Sequence, residues 1–144
     1  MFSRHELCVR NQEYRERPLL FVEWTRIQCG SMEAEGIVHR SYKTIFEGPL
    51  HWWVNSQQVI EQTVSANERG WCVVDPEEAL CEPIGEARFL ELVSECLAAD
   101  FFAATLKPFG RFCNAMLLRD EWSNRIAVGE FADRYYATYW LTSA

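Results

Sequence analysis

"EWSNRIAVGEFADRYYATYWLTS", residues 121–143, carries the strand signal that decides the fold. Trp122, Asn124, Ile126 and Val128 share one parity, set against Ser123, Arg125 and Ala127. A period of two sends alternate side chains to opposite faces, as in a β-strand. "FADR" (131–134) then reads as the join of a hairpin, beyond which Tyr135, Ala137, Tyr139 and Leu141 alternate with Tyr136, Thr138 and Trp140. Both faces of this last strand are bulky. One is expected to pack on a helix, the other to be covered by further chain or by a partner.

Working outward, "CNAMLLRD" (113–120) reads as another strand, and "KPFG" (107–110) as the turn before it. Residues 86–104 are expected to form the longest helix, because Phe89, Leu92, Val93, Cys96 and Leu97 recur at the 3.6-residue period while Glu91 and Glu95 share the outer face. In "DPEEAL" (75–80), Asp75 stands at an N-cap, Pro76 at the first helical position and Glu78 three residues after the cap. That predicts one or two helical turns, closed by Pro83. "WCVVD" (71–75) has the short apolar run of a buried strand. A helix is expected over about 57–66, with Asn55 or Ser56 as its cap. Strand candidates occupy 19–29 and 36–48, and residues 1–18 read as a polar lead-in ending at Pro18. The sum is a single α+β domain with a mainly antiparallel sheet packed against the 86–104 helix and one or two shorter helices.

The chain has 144 residues and a net charge of −7. A domain of this length buries roughly two-thirds of its unfolded surface and needs no disulfide or metal to hold it. The charge is concentrated. Asp75, Glu77, Glu78, Glu82, Glu86, Glu91, Glu95 and Asp100 stand against the single base Arg88. Such a field repels phosphate backbones, so no nucleic-acid partner is expected. It attracts a basic protein or a cationic ligand. The N-terminus is polar and lacks the apolar core of a secretory leader, and no window holds the roughly 20 apolar residues needed to cross a bilayer. A cytoplasmic protein without a membrane partner is expected, its cysteines at 8, 29, 72, 81, 96 and 113 kept as free thiols.

No recognisable motif for metal or catalysis is present. Zinc ligands come in close pairs, whereas Cys72 and Cys81 are the nearest cysteines and His5, His39 and His51 are widely spaced. Cys72 or Cys29 beside His39 or His51 would be needed for a thiol nucleophile, and no G-x-S-x-G elbow or C-x-x-C exists. Of the carboxylate pairs Glu33/Glu35, Glu77/Glu78 and Asp120/Glu121, the second is accounted for by a helix's first turn and the third by a turn between strands. No catalytic residue, cofactor or metal is assigned.

The aromatic side chains remain. In "GPLHWWVN" (48–55), adjacent Trp52 and Trp53 cannot both face one side of a regular element, so one is expected at the surface unless another layer covers it. The alternative is that His51 bonds locally while both rings fill a corner of the core. The function expected is an acidic protein-binding module, an inhibitor or immunity-type partner of a basic protein. In character (small, acidic, mixed α and β) the chain resembles immunity proteins, which protect a cell from a basic toxin, and the resemblance carries no sites over. The partner surface is expected to draw on Trp52, Trp53, Asp75, Glu77, Glu78, Glu82, Tyr136 and Trp140. The rival is a small-ligand enzyme or sensor in which His39 and His51 line a cavity with neighbouring aromatics. A third reading is a self-associating structural domain, a homodimer joined through an edge strand near 134–142.

Overall fold

The computed structural model describes residues 1–29, 34–96 and 110–142. The elements run α1 (Arg4–Arg15), β1 (Glu23–Cys29), β2 (Ala34–Tyr42), α2 (Pro49–Thr63), α3 (Arg69–Cys72), β3 (Glu82–Ile84), α4 (Glu86–Cys96), β4 (Phe112–Glu121), β5 (Asn124–Phe131) and β6 (Arg134–Thr142), with 3-10 turns at Lys43–Ile45 and Pro76–Glu78. Six strands form one antiparallel sheet in the order β1-β2-β6-β5-β4-β3. The fold is α+β, as the alternation at 121–143 implies.

Strand parity divides the apolar residues into two layers. Ile37, Met116, Leu118, Ile126, Val128, Tyr135, Ala137 and Tyr139 join the core that holds residues of α1, α2 and α3. Val38, Ala115, Leu117, Ala127, Phe131 and Tyr136 join Phe89, Leu92 and Val93 of α4 on the other face. Each face of the sheet thus buries an alternate set of side chains from the same strands. Phe89 sits directly over Gly129 of β5, where a Cβ would come within 2.6 Å of the ring.

Several expectations are corrected. β6 is not an edge strand, since β2 and β5 flank it, and its second face is covered by the chain's own helices. The helix expected at 57–66 starts at Pro49, just after Gly48, and ends at Thr63. Residues 71–75 do not form a strand. Arg69–Cys72 is a helical turn, and Val74 N is held by the side chain of Gln57 rather than by a neighbouring strand. The lead-in is the helix α1, closed at its start by a capping box between Ser3 and Glu6. At 75–80 Asp75 does cap, accepting from Glu77 N, but the turn spans only Pro76–Glu78. β1 and β2 begin at Glu23 and Ala34, shifted from the expected 19 and 36. α4 is described to Cys96; the rest of the expected 86–104 helix, and all of the expected 107–110 turn except Gly110, lie outside the described residues.

Candidate functional site

His39 and His51 are core residues. His39, on β2, is fully buried, with Nδ1 2.6 Å from Ser56 Oγ of α2. That hydroxyl is also 2.8 Å from the Tyr139 OH, which receives a long bond from Gln57 Nε2 at 3.4 Å. Burial pushes the His39 pKa down to about 3 and raises that of Tyr139, so both are neutral near pH 7. His51 Nδ1 accepts from Glu47 N at 3.1 Å, while its ring stacks on Tyr14 with centroids 5.0 Å apart. Burial is also the main cause that lowers the His51 pKa. The "HWW" stretch thus follows the local reading: His51 bonds the backbone just before the helix, and both indoles are internal, Trp52 at 0% and Trp53 at 1% exposure. They need not share a side, because α2 is covered by the sheet, α1 and α3 together.

A thiol nucleophile finds no support at Cys72, whose Sγ donates to Glu68 O and whose pKa burial raises to about 11. Cys8, Cys72, Cys81 and Cys113 are free thiols. Among the described residues no group of three or more His, Cys, Asp and Glu side chains is placed to hold a metal.

Of the expected partner-binding residues, Trp52, Trp53 and Tyr136 are buried and Trp140 is half-buried beneath the Arg125 guanidinium, 5.4 Å from its ring. The three buried rings offer nothing to a partner of the folded chain. Asp75, Glu77, Glu78 and Glu82 are all exposed. The structure brings Glu78 together with residues the sequence reading did not choose: a groove of about 150 Å³ is lined by Glu78, Leu80, Leu118, Arg119, Asp120 and Glu121. It lies on the β3 side of the sheet, where Leu80 N bonds Leu118 O before Glu82 pairs with Leu117. Trp122 follows on the β4–β5 turn, 70% exposed, and Leu80 is 42% exposed.

This surface is held from behind. Asn124 Nδ2 donates to Trp71 O at 3.0 Å and to Trp140 O at 2.8 Å, and Thr142 N bonds Ser123 O. Arg4 Nε donates to Ala79 O at 2.9 Å, fixing the segment that carries Glu78 and Leu80. Arg119 faces inward in its bonding, to Asn124 Oδ1 and the carbonyls of Gly70 and Val73. Asp120 pairs with Arg125 at 3.2 Å. Asp120 and Glu121 read as a turn between strands, and of the groove's carboxylates Glu78 alone was legible as part of the acidic run. Trp122 was not, because its parity with Asn124 and Ile126 assigned it to a strand, whereas the chain turns at 122–123.

The geometry defines an antiparallel sheet covered on both faces, with an acidic, aromatic-bearing surface at one edge. Compared with family models, curated proteins and solved structures, the chain matches none. No helix among the described residues is long and apolar enough to cross a membrane.

Proposed function

We propose that the chain is an acidic protein-binding module that takes a basic partner at the β3 edge, in the manner of an inhibitor or immunity-type protein acting in the cytoplasm. The observation that carries this reading is Trp122, 70% exposed on a turn fixed by Asn124, beside the groove of Glu78, Asp120 and Glu121. A turn whose backbone is fixed before binding loses little conformational freedom on association. Tryptophan is enriched among residues whose truncation costs about 2 kcal/mol or more of binding energy. The surrounding carboxylates would steer a basic partner and set its orientation more than they add to affinity. His39 and His51, committed to internal hydrogen bonds, give the small-ligand enzyme reading no comparable footing.

The test is native mass spectrometry of the protein recovered at low salt from its own host, beside the Trp122→Ala/Asp120→Asn variant. A basic protein retained at fixed stoichiometry by the wild type and lost from the variant is the expected result. A bare mass for the wild type, or equal retention by the variant, overturns the reading.

A further inference from the structure

Cys81 holds a backbone conformation that cysteine rarely takes. Its φ is 51°, and among the described residues no other non-glycine has a positive φ. Glycine enters this left-handed region without steric cost, so a side chain kept there under strain points to a use for that side chain. The thiol is half-buried, in the segment that leads from the Pro76–Glu78 turn into β3.

A second thiol lies on the helix beside it. α1 packs against the Pro76–Glu78 turn, and Arg4 Nε reaches Ala79 O, two residues before Cys81. Cys8 stands one helical turn beyond Arg4 and so on the same side of α1. Burial pushes the Cys81 pKa up to about 11, with the charge of Arg4 opposing the rise and Cys8 adding to it. The α1 groups that act on Cys81 are thus the two that share this side. Cys72 and Cys113 are placed elsewhere. Cys72 is buried and bonded to Glu68 O. Cys113 lies four residues along β4 from Leu117, the partner of Glu82, a stretch of about 13 Å in a strand. A disulfide needs its α-carbons within about 7 Å.

We infer that Cys8 and Cys81 form a redox modification site, at which a peroxide converts the two thiols into one reversible disulfide joining α1 to the β3 edge. Cys8 is exposed and meets the oxidant first. Its sulfur attacks hydrogen peroxide, the O–O bond breaks, Cys8 becomes a sulfenic acid and water leaves. The Cys81 sulfur then displaces the hydroxyl, forming the S–S bond and releasing a second water that carries the Cys81 proton. Two electrons pass from the thiols to the peroxide. In a compartment rich in reduced thiols the bond is transient and is reopened by thiol exchange. While it lasts it fastens to α1 the segment of Glu78 and Leu80, which line the acidic groove. The site stands whatever that groove binds.

The test treats the reduced full chain with stoichiometric hydrogen peroxide, alkylates it and maps its peptides by mass spectrometry without reduction. A peptide pair joining Cys8 to Cys81 is expected, with the intact mass lower by about 2 Da and restored by dithiothreitol. Cys8→Ser, at an exposed position that leaves the fold intact, should lose the link, while Cys113→Ser keeps it. Cys81→Ser should leave Cys8 as a sulfenic acid that dimedone traps. No cross-link, a bond between other cysteines, a bond only between two chains, or a linked monomer from Cys8→Ser overturns the assignment.

Discussion

His39 shows what one buried side chain does to the whole chain's response to pH. Its imidazole is held neutral in the native state because burial takes its pKa down to about 3, against the ordinary value of 6.5 for an imidazole. Below pH 6.5 the unfolded chain takes up a proton there that the native chain does not. The unfolded state then binds more protons, so stability rises with pH across this window. The His39 contribution is complete above about pH 6.5 and is lost as pH falls toward 3, at about 1.4 kcal/mol per pH unit. Urea unfolding at pH 7 and pH 4.5 should therefore differ by an extra 2–3 kcal/mol or so in the wild type, relative to the same pair of measurements on His39→Gln. Equal pH differences in the two proteins would show that the ring is protonated without unfolding. The histidine's burial was not legible from its neighbours in sequence. It follows from β2 lying second from the edge, with α2 above it.

At the scale of elements, α2 organises one side of the molecule through its polar residues as much as its apolar ones. Asn55 accepts from Leu20 N and donates to Leu20 O, clamping the approach to β1, and Gln58 Nε2 reaches Arg15 O at the end of α1. Gln57 Oε1 accepts from Val74 N at 2.7 Å while its Nε2 donates to Cys72 O at 3.0 Å. Gln57→Ala leaves that buried amide and carbonyl unsatisfied, at a cost of about 1–3 kcal/mol for each group. A destabilisation of roughly 2–4 kcal/mol in urea, with faster hydrogen exchange at Val74, is expected. A loss below about 0.5 kcal/mol would mean that the 72–74 segment is held by something else. These bonds explain why 71–75 misleads as sequence. Its apolar run is that of a buried strand, yet its backbone groups are satisfied by a helix side chain. α2 itself is misjudged for a related reason: polar Asn55 and Ser56 suggest a helix cap and Gln57 an outer face, but each is buried against a specific partner. α1 had a readable start in Ser3 and Glu6 and a readable inner face in Leu7 and Tyr14, obscured by the charge around them. The C-terminal strands were the most legible, because their period is short and both sides are buried by the same chain.

For the molecule as a whole, the sheet is a wall common to two apolar layers, and this binds their stabilities together. Every residue of β6 from Tyr135 to Tyr139 is buried, with odd positions facing one layer and even positions the other. Loosening one layer displaces backbone whose next side chain belongs to the opposite layer. Phe89 is the place to probe this coupling, since it is fully buried in the α4 layer and its ring fills the space above Gly129. Phe89→Ala leaves a cavity costing about 3–5 kcal/mol, because close-packed strands relax only partly into it. Trp52, Trp53 and Trp71 are buried in the other layer and report on it by fluorescence in a Trp140→Phe background, since Trp140 packs on the α4 layer. In Phe89→Ala, the fluorescence transition in urea should move to lower denaturant together with the loss of far-ultraviolet circular dichroism, and the steepness of both should match the wild type. If the α4 layer could come away alone, circular dichroism would show an early step while the tryptophan transition stayed in place. A common shift of both signals identifies the sheet as the unit through which the two layers unfold together.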